Sequence, residues 1–125
     1  MRVIIAGPRD CNDYVSLLMA VHLAPFEITE VVWGCAKGVD MMGKRWADEH
    51  RVPDKPFPAD WNRWGKGAGP KRNRQMSLYG DALIALWDGR SSGTGNMIQQ
   101  MRVRKKPFYV HGIRGYRQDG LSDFS

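Results

Sequence analysis

The sequence predicts a single α/β domain, a parallel sheet of about five strands with helices on both faces. Three observations carry that expectation. Short apolar runs alternate with stretches of helical spacing along the chain, the order βαβαβαβαβ that implies parallel strands joined by crossover helices. The strongest of these runs, "DALIALWD", is apolar enough to be covered on both sides, as a central parallel strand is. The chain has 125 residues, of which 42% are hydrophobic, enough for one packed core and against disorder.

The elements follow in order. "RVIIA" (2–6) is short and β-branched and stops at Gly-Pro, which marks a buried strand. Asp10, Asn12 and Asp13 offer N-caps for a helix from about 13 to 23, with Tyr14, Leu17, Leu18 and Val21 at helical spacing. "EVVWG" (30–34) is the second strand. After the glycine loop "GCAKGVD" (34–40), Val39, Met42, Trp46 and His50 share one helical face, and Pro53 lies just past its end. "DKPFPAD" (54–60) is a weak strand broken by proline, suited to an edge. "WNRWGKGAGPKRNR" (61–74) runs from a loop into a helix with Pro70 near its first position. "DALIALWD" (81–88) is the central strand. A helix from about 94 to 105 turns Met97, Ile98 and Met101 inward, and "KPFYVHG" (106–112) is the last strand. Residues 1–112 make the domain, and residues 113–125 read as a loose C-terminal tail.

The totals exclude several classes. No apolar run approaches the roughly 18–20 residues that span a bilayer, and "MRVIIAGPRD" reads as a strand rather than a secretory signal. A cytoplasmic protein with no membrane partner is expected. Cys11 and Cys35 form neither a disulfide framework nor a zinc site. They are either small buried thiols or, because they precede or open helices, thiols of lowered pKa. His22, His50 and His111 are scattered, so neither a metal nor another cofactor is expected. The formal net charge of +6 favours an acidic partner, from a nucleotide to a nucleic acid.

In an open parallel sheet, ligands bind at the carboxyl ends of the strands where the strand order reverses. If the first and fourth strands are neighbours there, "GPRD" and "WDGRSSGTGN" meet, flanked by "GCAKGVD". The N–H groups of a helix N-terminus attract phosphate where no side chain blocks the approach. Gly93 and Gly95 clear that approach, and Ser91, Ser92 and Thr94 add hydroxyls; the same residues also suit a plain turn capped by Ser92 or Thr94. The basic run "RWGKGAGPKRNR" reads either as a solvated face or, because Lys71 and Arg72 fall in a predicted first helical turn where cations are disfavoured, as a place where a bound anion relieves that conflict. Trp61 and Trp64 serve either to stack a ring or to pack a core or an interface. Asp40 either bonds a ribose hydroxyl or caps its helix. Asp10, Asp40, Asp60 and Asp88 are the acids expected near the crevice.

The motifs "GPRD", "GCAKGVD", "FPADW", "GAGPKRNRQM" and "WDGRSSGTGNM" together resemble, in their order, the YspA/YpsA-related branch of the SLOG superfamily over about residues 2–110. The resemblance implies a Rossmann-like fold and binding of a nucleotide or nucleotide-derived ligand. Related cytokinin-activating phosphoribohydrolases carry "PGGxGTxxE", whose last Glu is catalytic; here Met97 holds that position. Pro8 and Cys35 also stand where that family usually has glycine.

The expected ligand site comprises Gly7, Arg9, Gly34, Lys37, Gly38, Asp40, Asp60, Trp61, Arg72, Asn73, Gly89, Ser92, Gly93 and Thr94. The function expected first is sensing or sequestering a nucleotide. The alternatives are an N-glycosidase acting on nucleoside monophosphates, with Asp60 or Asp88 replacing the missing acid, and, less favoured, single-stranded nucleic-acid binding. A homo-oligomer is expected from the surplus of Trp and Met, with Met76, Met97 and Met101 on the contributing helices.

Overall fold

β1 (Arg2–Ala6) runs between β2 (Glu30–Trp33) and β4 (Ala82–Trp87), with β3 (Asp54–Pro56) and β5 (Phe108–Gly112) at the edges. The sheet order is therefore β3-β2-β1-β4-β5, and every neighbouring pair is parallel, with Val3 opposite Ala82 and Ile4 opposite Val32. This computed structural model describes residues 1–113. The expected tail, apart from Ile113, lies outside the described residues.

The period-2 geometry of the strands sorts their side chains onto two faces. Val3, Ile5, Val31, Ile84 and Leu86 point to the face covered by α1 (Tyr14–Leu23) and α2 (Val39–Glu49). Ile4, Ala6, Val32, Leu83 and Ala85 point to the face covered by α4 (Ala68–Tyr79) and α5 (Ser92–Val103). Each fully buried Ile or Leu contributes about 1.5–3 kcal/mol relative to an exposed one. β4 is buried along its whole length, as a central strand should be. β3 is three residues long and lies at an edge, in keeping with its prolines. A single-turn helix, α3 (Trp61–Trp64), and a 3₁₀ turn (Gly65–Gly67) lead into α4.

Several expectations need correction. Met97, Ile98 and Met101 turn inward as expected, but they and Met76 fill the layer between α4, α5 and the sheet of this one chain. Unbranched thioethers suit such an irregular gap, so the three methionines give no argument for an interface. On α1 the buried residues are Leu17 and Ala20, whereas Leu18 is exposed with Val15, Met19 and Leu23. This helix is apolar nearly all round, so its spacing did not fix which side turns inward. His50 caps the end of α2 from outside the core and stacks on Trp46, with ring centroids 4.2 Å apart. α4 begins at Ala68, two residues earlier than Pro70 suggests, and α5 begins at Ser92 rather than near residue 94. No helix among the described residues is long and apolar enough to cross a membrane.

The two sides of α1 differ enough to test. Leu17→Ala is expected to destabilise the fold by about 2–5 kcal/mol, and Val15→Ala by no more than about 0.5 kcal/mol, in urea unfolding at 25 °C. Equal losses would mean that the helix is rotated from this packing.

Candidate functional site

The strand order reverses between β1 and β4, and their carboxyl ends open into a crevice of about 940 Å³. Its lip is formed by the loop after β1 (Gly7–Asp10), the loop after β2 (Gly34–Ala36) and the start of α5 (Ser91–Thr94). Trp61, Lys66, Gly69 and Arg72, from α3 to α4, contribute to the facing wall.

The glycines here do different jobs. A Cβ on Gly7 would lie 2.6 Å from Val39 Cγ2 and 2.8 Å from the Leu86 carbonyl oxygen, so this glycine lets α2 close onto the strand ends. Gly38 has φ +76°, and a Cβ there would lie 2.5 Å from the Pro8 carbonyl oxygen. It joins two loops and does not line the crevice. The Val39 N–H is already donated to that same Pro8 carbonyl, at 3.4 Å, which occupies part of the N-terminus of α2. Gly89 supplies a φ of +81° to the turn after β4 and lies outside the lining, as does exposed Lys37. Gly95 makes room for Trp87, whose Cζ2 lies 3.3 Å from where its Cβ would be. Gly93 alone of the α5 glycines faces open space, with nothing within 4 Å of a Cβ.

The start of α5 is held by Asp88, not capped by Ser92 or Thr94. Asp88 Oδ1 accepts from the backbone N–H groups of Arg90 (2.9 Å) and Ser91 (2.8 Å), and Oδ2 accepts from Ser91 Oγ (2.9 Å). Burial raises the Asp88 pKa and these bonds lower it, for a net lowering. The first N–H donated within α5 is that of Gly95, to the Ser91 carbonyl at 3.0 Å. The N–H groups of Ser92, Gly93 and Thr94 precede it and have no intrahelical acceptor. Thr94 lines the crevice, is 4% exposed, and its hydroxyl has no hydrogen-bond partner among the described residues.

A polar network fixes this helix end against α4. Asn73 Nδ2 donates to the Gly93 carbonyl at 3.1 Å and to Asn96 Oδ1 at 3.0 Å, while its Oδ1 accepts from Arg72 Nε at 3.0 Å. Arg72 Nη1 donates to the Gly34 carbonyl. The start of α5 and the loop after β2 are thereby tied together through two adjacent residues of α4. Arg72 lies past the first helical turn because α4 starts at Ala68, so the expected conflict with the helix dipole does not arise for it. Burial lowers its pKa, and the negative charge of Asp40 opposes that.

Asp40 is 5% exposed and lines the crevice. Its Oδ2 accepts from the Ala36 N–H at 3.3 Å. Burial pushes its pKa up to about 6, against the pull of Arg72 and of nearby backbone N–H groups. The other acids are placed differently from expectation. Asp10 lines the crevice, but Asp60 and Asp88 do not. Asp60 caps α3 by accepting from the Arg63 N–H at 3.1 Å. Local turn and cap bonds hold both carboxylates back from the opening. Met97 does line the crevice and is 1% exposed.

Neither thiol expectation fits Cys35. It is exposed on the crevice lip at φ +63°, and desolvation raises its pKa, with Asp40 adding to the rise. Trp61 lines the crevice half-exposed, with its ring edge against Gly69, whereas Trp64 does not line it. Asn96 was missed in the sequence, although it lies three residues after Gly93 and hence on the same face of α5.

A family model described as YspA, cpYpsA-related SLOG family matches residues 1–64. The chain belongs to that family. The match runs from β1 through α3 and includes the loops after β1 and β2. No curated protein matches the sequence. Among solved structures, DNA processing protein A (DprA) from Streptococcus pneumoniae aligns with a TM-score of 0.72 at 18% identity, over 98% of this chain and 53% of that one. The chain thus spans about half the length of DprA. The likeness shows a shared Rossmann-like fold, and it extends through α4, β4 and α5.

Asp40 yields a pH test. Its folded pKa of about 6 exceeds the ordinary aspartate value of 3.8, so its contribution to stability is fully present below about pH 4 and is lost as pH rises through about 6. The stability of the wild type relative to Asp40→Asn should therefore increase as pH falls from 7 to 4, followed by urea unfolding at each pH. A difference that stays constant over that range would place Asp40 in water.

Proposed function

We propose that the protein binds a nucleotide, or a nucleotide-derived phosphate ligand, with its phosphate on the N-terminus of α5. One observation carries the reading. Three N–H groups without intrahelical acceptors, an unobstructed Gly93 and a buried, unpartnered Thr94 hydroxyl converge on one crevice. A buried hydroxyl left without a partner costs free energy, and a phosphate oxygen would satisfy it. The partial positive charge of the helix end adds to the attraction.

The other groups fit such a ligand. Arg9, Lys66 and Arg72 bring positive charge to the crevice. The exposed part of Trp61 offers a face for a base. Asp40, beside Gly34 and Arg72, is the group suited to a ribose hydroxyl. Gly7 lets α2 approach the strand ends, Gly34 leaves room for Arg72 and Asp40, and Asn73 holds Gly93 in place. Membership of the SLOG family supports a nucleotide-related role, and binding without turnover is the form favoured. Met97 occupies the position at which related phosphoribohydrolases carry their acid, and a thioether neither donates a proton nor balances positive charge.

Gly93→Val tests the reading. An added Cβ meets nothing within 4 Å, so the fold should persist with an unchanged unfolding midpoint. Calorimetry with adenosine monophosphate and the other common nucleoside monophosphates should show binding to the wild type and at least a tenfold loss in the variant. Unchanged affinity in a folded variant would overturn the phosphate placement.

A further inference from the structure

A second groove, of about 400 Å³, lies on the other side of the α3–α4 corner. It shares Pro58, Ala59 and Arg72 with the crevice, so the two are continuous along one wall. Arg63, Lys71, Arg72 and Arg74 line it, with Asp60 as its acid. The Asp60 carboxylate is engaged as the cap of α3. Lys71, Arg74, Gln75 and Leu78 fall at i, i+3, i+4 and i+7, one stripe of α4.

Among the described residues, Arg63, Lys71 and Arg74 have neither carboxylate partners nor isolation: they are gathered in one hollow. Lys44 pairs with Asp48 and Asp54, and Arg45 pairs with Glu49. No carboxylate lies within ion-pair distance of Arg63, Lys71 or Arg74 among the described residues. Instead the Trp64 ring holds two of them, with Lys71 Nζ 4.0 Å and Arg63 Cζ 4.8 Å from its centroid. An indole face positions a cation without neutralising it. Like charges gathered in a concave surface repel one another unless an anion joins them.

We propose that this groove receives a second phosphate-bearing unit of the same ligand, which makes that ligand a phosphodiester-linked dinucleotide or short oligonucleotide. The inference rests on the crevice reading above. The first nucleotide lies in the crevice, the chain passes Arg72 at the shared wall, and the next phosphate meets Lys71, Arg74 and Arg63. Two hollows that share Pro58, Ala59 and Arg72, each with its own cations, offer places for two phosphates of one strand.

The test compares adenosine monophosphate, adenosine triphosphate and the 5′-phosphorylated dinucleotide pApA by calorimetry, on the wild type and on Lys71→Gln/Arg74→Gln. Both substituted residues are exposed and outside the crevice, and an unchanged unfolding midpoint checks the fold. pApA should bind about tenfold or more tightly than the monophosphate, a gain of the size expected from one or two added charge-assisted bonds. The double variant should lose that gain and keep its affinity for the monophosphate within about twofold. Monophosphate binding with no gain for pApA would overturn this proposal alone. So would a gain for the triphosphate only, which would assign the groove to a phosphate chain. A double variant that binds all three as the wild type does would also overturn it. If neither the monophosphate nor pApA binds, the crevice reading and this proposal fall together.

Discussion

β1 can occupy the centre of the sheet only because both of its faces are apolar. Ile4 packs towards α4 and α5, and Val3 and Ile5 pack towards α1 and α2. A parallel strand so covered fixes its neighbours through the backbone ladder, with β2 on one side and β4 on the other. The crossovers then leave on opposite faces, and the loops after β1 and β4 diverge around an opening that no helix fills. The crevice is thus a consequence of chain topology, and the apolar strand pays for it.

What turns an opening into a shaped site is a small amount of buried polarity. Asn73 uses both amide donors and its oxygen, and it reaches Gly93, Asn96 and Arg72. Arg72 carries the connection on to Gly34. A buried network of this kind gains from full satisfaction, and it costs dearly if one member is lost. The Thr94 hydroxyl stands beside that network without a partner among the described residues. Among the described residues the other buried polar side chains, Asp40, Asn73 and Ser77, are hydrogen-bonded, and it is this contrast that the proposed phosphate placement draws on.

Much of this was legible in the sequence, for physical reasons that differ by element. The strands declared themselves because strands buried on both faces must be apolar along their length, whereas the adjacency of β1 and β4 entered only as a condition, since the βαβ order fixes parallel strands but not their sequence across the sheet. The loop at 91–94 was legible because a glycine facing a helix N-terminus leaves the N–H groups uncovered. The side-chain turns were harder to read. Asp88 and Asp60 looked like crevice acids because they flank the right loops, but each reaches forward to accept backbone N–H groups two or three residues on, a local competitor that Asp residues often satisfy. The pairing of Arg72 with Gly34, and its approach to Asp40, joins parts of the chain far apart in sequence, and no periodicity encodes it. The methionines were correctly read as apolar, but periodicity gives a buried face without saying whether it is buried by the chain's own sheet or by a partner.

The proposed binding places the phosphate of a nucleotide on the first turn of α5. Backbone amide NMR during titration with a nucleoside monophosphate tests that most directly. The amide resonances of Ser92, Gly93 and Thr94 should shift most, with those of Gly7 and Arg9 following, while Val15, Met19 and Leu23 on the outer side of α1 stay still. Saturable shifts that leave residues 92–94 unmoved would contradict the central claim.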